Sequence, residues 1–247
     1  DIIVTSLYYN EDSTNFFFHY DATGGRGGAA LDSYLDLLSH AGITSLLCNT
    51  NAQRCNYNSD VWTPTWEGFD PGGADDQPYL APLATEARAA WCRLATNMLA
   101  LHEEGIDYPA HVIEGSRRRQ MSPWITLRMN DVHDQDNLEH PIHGRFWREH
   151  PELWRAGSTS YFARAFDFAH AEVRAYFMDL VDETLERYDV DGLELDFLRE
   201  PFLFSVGAEA RGRQLLTDWV GQVRARIDAA ARRRGHPVML GVRAPSR

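Results

Sequence analysis

Residues 170–188 carry Val173, Tyr176, Phe177, Leu180, Val181 and Leu185 at helical spacing, and residues 190–197 switch at once to alternation. A helix that feeds directly into a strand of this kind is the building unit of a parallel α/β sheet. The alternation sends Leu193, Leu195 and Phe197 to one side and Gly192, Glu194 and Asp196 to the other, because successive strand side chains point to opposite faces. Carboxylates removed from water must be paired, protonated or put to use. Two of them on one face of an otherwise apolar strand therefore point to a site more than to packing.

The same alternation of periods runs through the chain. Residues 2–8 read as a first strand, and residues 29–40 as a helix with Leu31, Tyr34, Leu35, Leu37 and Leu38 on one side, stopped by Gly42. Residues 43–48 read as the second strand. Helices follow over 85–105, around Trp91, Leu94, Met98 and Leu101, and over 109–119. The third strand, 124–130, sets Ile125, Leu127 and Met129 against Thr126, Arg128 and Asn130. A helix over 208–234, built on Leu215, Trp219, Val220, Val223 and Ile227, leads to a fifth strand at 238–242. Residues 49–82 and 131–160 have no sustained period and read as long loops, the second with a helical turn near 146–150; loops of that length in compact domains are usually functional.

This order predicts a parallel sheet with right-handed crossovers. A doubly wound open sheet and a (β/α)8 barrel both satisfy it, and both place ligands at the C-terminal ends of the strands. No glycine-rich phosphate fingerprint follows any strand, and the glycines at 24–28 read as a turn. Polar residues on one face of strands three and four suit a barrel lumen. The expected fold class is α/β of the (β/α)8 TIM-barrel type, incomplete here, with five βα units on parallel strands in a single domain over 1–247. Unpaired first and fifth strands would be exposed edges, so the native protein is expected to continue beyond Arg247.

Composition narrows the function. A net charge of -12 argues against nucleic acid or an anionic membrane as partner and favours a neutral substrate. All 24 basic residues are Arg, which removes chemistry that needs an amine, such as a Schiff base or a pyridoxal cofactor. No run approaches the roughly 18 apolar residues of a membrane span. Cys48, Cys55 and Cys92 fit no disulfide framework or cysteine zinc site and read as buried free thiols, with a Cys48–Cys55 bridge as the alternative. The sequence shows no signal peptide and does not fix the compartment, with an extracellular or periplasmic location favoured.

Glu194 and Asp196 stand about 6 to 7 Å apart on one face of strand four. Asp196, nearer the C-terminal mouth, is the better catalytic candidate, and Glu194 is placed to orient it or Arg128. Arg128 and Asn130 share the lumen face of strand three, followed by Asp131 and His133; the Arg fork suits carboxylates and sugar hydroxyls, and His133 is an acid or base near neutral pH or a loop structural group. Arg199 and Arg243 complete the set, as substrate ligands or as ion-pair partners of the strand-four carboxylates. Asn49, Asn51 and Asn56 add amides at or past strand two. Trp62, Trp66, Phe69 and Tyr79 are able to stack on sugar rings or to pack their loop onto the rim. His133, Asp134, Asp136, His140 and His143 crowd one loop, at spacings that match no defined metal motif.

Four runs carry a family resemblance: Arg128-Met-Asn-Asp131, Phe146-Trp-Arg-Glu-His-Pro151, Asp167-Phe-Ala-His-Ala-Glu-Val-Arg-Ala-Tyr176, and residues 188–201. Over roughly residues 85–247 the chain resembles the family 10 glycosylhydrolase-like proteins, which implies a TIM barrel and carbohydrate hydrolysis. Asp191-Gly-Leu-Glu-Leu-Asp196 is also similar to the strand-four signature of family 18 chitinases, with Leu198 where that signature ends in its acid Glu. Leu195-Asp-Phe197 is similar to the strand-four ending of retaining α-galactosidase barrels, whose Asp is the nucleophile. Both comparisons single out Asp196.

The expectation is a glycoside hydrolase acting on a poly- or oligosaccharide without a cofactor, its second carboxylate on a later strand. A non-catalytic carbohydrate-binding barrel is the alternative, and a metal-dependent hydrolase centred on the His133 loop a third. Oligomeric state is not readable.

Overall fold

A computed structural model of the protein describes residues 6–198 and 201–245, without the Ser13 side chain. Five strands, β1 (Tyr8–Glu11), β2 (Ser45–Asn49), β3 (Ser122–Arg128), β4 (Gly192–Asp196) and β5 (Met239–Arg243), form one sheet in the order β1-β2-β3-β4-β5, every neighbouring pair parallel. The helices are α1 (Ser13–His19), α2 (Gly27–His40), α3 (Thr85–Glu103), α4 (Tyr108–Arg118), α5 (Arg145–Glu149), α6 (Ala171–Arg187) and α7 (Glu209–Arg234). The fold is α/β, and strand order follows chain order without the reversal that creates the crevice of a doubly wound sheet. Among the described residues no helix is long and apolar enough to cross a membrane.

Register assigns the two faces. Leu46 and Cys48, Ile125 and Leu127, and Leu193 and Leu195 face the helices and enter two buried clusters, one built with α2 and α3 and the other with α6 and α7. The opposite face holds Tyr8 and Asn10, Asn49, Trp124, Thr126 and Arg128, Gly192, Glu194 and Asp196, and Arg243. Asn10 Nδ2 donates to Glu194 Oε1 at 2.9 Å across this face. β1 and β4 are three spacings apart in strand order, about 14 Å if the sheet were flat. The polar face is therefore concave, curled as a barrel wall is. Gly192 is required on it, because a Cβ there would lie 2.3 Å from the Trp124 ring.

Local chemistry sets several boundaries. Asp107 caps α4 by accepting from Ala110 N at 3.0 Å, with Pro109 in the first turn, where its missing N–H costs nothing. Gly235, in the left-handed region at φ 76°, ends α7 behind three arginines that suit the helix dipole.

The structure corrects the sequence reading near the N-terminus. The first strand was expected over 2–8, whereas the described strand occupies Tyr8–Glu11; residues 1–5 lie outside the described residues. Helix α1 went unpredicted, because consecutive Phe16, Phe17 and Phe18 give no helical period. Asp12 caps it, and Asn97 of α3 clamps its end through the Phe17 and Tyr20 carbonyls at 2.9 and 2.7 Å. The strand shift also brings in Glu11, which points to the helix side. There it is buried, accepts from the Tyr34 hydroxyl, and leaves Oε1 without a hydrogen bond. Burial pushes its carboxyl up to about 7, against the lowering effect of that hydroxyl.

Candidate active site

The C-terminal ends of β3, β4 and β5 bring three charged residues abreast, since Arg128 pairs in register with Asp196 and Asp196 with Arg243. Asp196 is 2 % exposed. Its Oδ2 accepts from Arg243 Nη2 at 2.5 Å and its Oδ1 from the Leu198 amide at 2.9 Å. Glu194 lies one pleat deeper, accepts from Thr126 Oγ1 at 2.7 Å and from Asn10, and stands 3.4 Å from the same Arg243 nitrogen. Glu194 and Asp196 thus share one nitrogen of Arg243.

Arg128 takes different partners. Its guanidinium spans Asp12, at 2.6 Å, and Asp131, at 3.3 Å. His133 donates from its backbone N–H, at 3.0 Å, and from its ring Nδ1, at 2.8 Å, to Asp131 Oδ1. Burial alone would raise the Asp131 carboxyl, but the His133 hydrogen bonds and the neighbouring Arg128 charge outweigh it and hold the group below the usual carboxylate range. Arg128, Asp131 and His133 therefore form one assembly beside the Asp196–Arg243 pair.

Three residues expected to touch substrate are committed elsewhere. Asn130 turns off the strand at φ 97° and exchanges hydrogen bonds with the Phe166 backbone at 2.9 and 2.7 Å. Asn49 is buried and donates to the Asn51 and Thr126 carbonyls. Trp62 is 5 % exposed, stacks on Tyr176 at 4.2 Å and donates Nε1 to the Tyr176 carbonyl at 3.0 Å. The reason is common to all three: a buried amide or indole must find a partner, and here the nearest is backbone. Trp66, Phe69 and Tyr79 are buried likewise, so these aromatics pack the 49–82 loop against the helices, Trp62 on α6 and Trp66 on α3. Arg199 and Glu200 lie outside the described residues.

That loop also supplies a residue the sequence reading overlooked. Arg54 lies in a cavity of about 240 Å³ at the ends of β1, β2 and β3, together with Asp12, Arg128, His133, Asn56 and Trp91. Asp196 and Glu194 do not line this cavity; they stand at the adjoining strand ends. A lone Arg in an aperiodic loop carries no pattern that would have revealed it.

The histidine loop is structural in its inner half. His143 is fully buried, stacked on Trp147 at 4.2 Å, with its ring nitrogens 3.2 Å from Gln53 Oε1 and 3.1 Å from the Asp134 carbonyl. Burial pulls its imidazole down to about 4. Among the described residues no three His, Cys, Asp or Glu side chains converge to hold a metal ion.

His143 and Glu11 make opposite demands on pH. The raised Glu11 carboxyl contributes stability that is complete below its unfolded value and is lost as pH rises to about 7. The lowered His143 contributes stability that is present above its unfolded value and is lost as pH falls to about 4. Each effect is about 3 kcal/mol at full extent, and over the mildly acid range they offset. Glu11→Gln is expected to unmask the histidine: its unfolding free energy should fall more steeply than the parent's on acidification below neutrality. Parallel curves in a denaturant series from pH 4 to 8 would refute this.

No protein-family model matches the sequence, and no curated protein matches it. Among solved structures the chain is similar to α-L-fucosidase isoenzyme 2 from Paenibacillus thiaminolyticus, at 13% identity and TM-score 0.55, covering 95% of this chain and 32% of that one. It is also similar to a hypothetical protein from Ruminiclostridium thermocellum ATCC 27405, at 12% identity and TM-score 0.51, covering 96% of both chains. A looser likeness, TM-score 0.48 at 15% identity over 96% of this chain and 26% of that one, is to the galactosidase domain of the α-galactosidase–sucrose kinase AgaSK. Of the two with a TM-score above 0.5, one is named as a glycosidase and neither as a family 10 protein. The chain spans about a third of the fucosidase's length. At these identities the likeness is one of fold, and the fold is one that a glycosidase uses.

Proposed function

We propose that the protein is a glycoside hydrolase acting on a poly- or oligosaccharide, with Asp196 as the carboxylate at the anomeric centre. The observation that carries this reading is the position of Asp196: a buried carboxylate at the C-terminal end of β4, on the concave face, fixed by Arg243 and the Leu198 amide. Active sites of (β/α)8 enzymes sit at that face. Glu194 serves as a positioning residue through Arg243, and Arg128, Asp131 and His133 flank the sugar.

Glycoside hydrolysis needs a second carboxyl group facing the first across the scissile bond. Glu194 is on the same strand face as Asp196 and turned to Arg243, so it does not oppose it. In this proposal the five βα units belong to a (β/α)8 barrel, and the partner carboxylate comes from a strand outside the five described. A separation of about 5 Å would give retention, and a wider gap, leaving room for water, inversion.

One observation favours a second reading, a carbohydrate-binding barrel without turnover: both oxygens of Asp196 already have partners. Assaying the full-length protein, with the strand proposed to carry the partner carboxylate, on a panel of glycosides, with Asp196→Asn alongside, separates the two. Turnover that disappears in the variant supports the catalytic reading. Full activity in the variant overturns it, and sugar binding without turnover favours the second.

A further inference from the structure

Arg54 is 6 % exposed, so nine-tenths of it is removed from water. Its Nε donates to the His143 carbonyl at 2.9 Å and its Nη1 to the Glu67 carbonyl at 3.1 Å. No carboxylate of the described residues lies within ion-pair distance of it, the Glu67 carboxylate acting on it only from farther away, and Nη2 makes no hydrogen bond among them. A buried cation without a counter-charge costs several kcal/mol unless something else supplies the charge. The carboxylates nearest the cavity are directed at other groups: Asp12 and Asp131 both at Arg128, and Asp134 at the His140 ring, 3.5 Å away. One guanidinium edge is left for a ligand.

The rest of the lining indicates what carries that ligand's charge. Trp91, Leu94, Met98 and Phe18 offer an apolar side, and Asn56 and Thr65 a polar one. The cavity has room for about eight waters, the scale of one sugar ring, and a sugar ring has an apolar C–H face and a polar rim. We infer that this cavity is a subsite for a sugar acid, a uronate unit whose carboxylate sits on Arg54. The inference deepens the carbohydrate reading and rests on it for the sugar; the acid group rests on Arg54. The overall negative charge does not oppose it, because surface charges are screened over about 8 Å at physiological salt, whereas a buried guanidinium is not.

Ligand-observed NMR titration tests the subsite without recourse to turnover, so its failure is distinct from failure of the hydrolase assignment. Glucuronate and galacturonate are compared with glucose and galactose, and with acetate and inorganic phosphate. At least one uronate is expected to bind tenfold or more tightly than its neutral counterpart and than either simple anion. Arg54→Met should erase that preference, and Ala52→Leu, which fills the cavity from its wall and leaves Arg54 in place, should abolish binding. Equal affinity for uronate and hexose, equal affinity for uronate and acetate or phosphate, no binding of either sugar, or a preference that survives Arg54→Met overturns the proposal. Should Arg54→Met fail to fold, the native protein's discrimination and the Ala52→Leu variant decide it.

Discussion

Replacing Glu183 by alanine is expected to lower the free energy of unfolding by about 3–5 kcal/mol, the range for removing one partner of a buried charge network. Its carboxylate, on the inner side of α6, accepts from the Tyr57 hydroxyl at 2.8 Å, the Ser59 hydroxyl at 2.6 Å and the Asp60 amide at 2.6 Å, and pairs with Arg187 at 2.9 Å. Three of these four groups belong to the 49–82 loop. Without the carboxylate, the buried Tyr57 hydroxyl loses its acceptor, and the loop loses its tie to the helix. Urea unfolding at neutral pH, read beside limited proteolysis within residues 57–66, checks this. A change below about 1 kcal/mol, within the range of an exposed pair, would show that the aromatic packing around Trp62 holds the loop alone.

Asp196→Asn is expected to cut kcat/KM on a glycoside by about 10³- to 10⁵-fold, the scale of losing a nucleophile or a general acid/base. Asparagine keeps the size of the side chain and can still accept from the Leu198 amide, while Arg243 retains Glu194 at 3.4 Å. The thermal midpoint should therefore move much less than in Glu183→Ala. That contrast matters, because a large activity loss with an unchanged midpoint is chemical, whereas parallel losses of both would mark Asp196 as a packing residue. A structural role alone would leave turnover per folded molecule unchanged.

The elements themselves were legible because their signals are local. The helical period of α6 and α7 and the alternation of β3 and β4 placed these elements to within a few residues, and the acidic face of β4 was visible as Gly192, Glu194 and Asp196. The partners of polar side chains were not. Asn49, Asn130 and Trp62 look like ligand-binding residues in the sequence, but which backbone carbonyl reaches them is decided by the packing of β3, of the segment around Phe166 and of α6. Arg54 failed in the other direction: its burial against a cavity is decided in three dimensions, which composition cannot express. Arg243 was visible as a possible partner of Asp196, but only the β4–β5 register brings the two side by side.

The hydrogen bond from Asn10 to Glu194 joins residues 184 positions apart in the chain. A contact so distant in sequence is made only where the curl of the sheet brings β1 back toward β4. Glu194 also stands 3.4 Å from the Arg243 nitrogen that holds Asp196, so the curl of the sheet and the pair proposed for chemistry share one carboxylate. A change that flattened the sheet would therefore reach Arg243 through Glu194, without touching either residue of the Asp196–Arg243 pair.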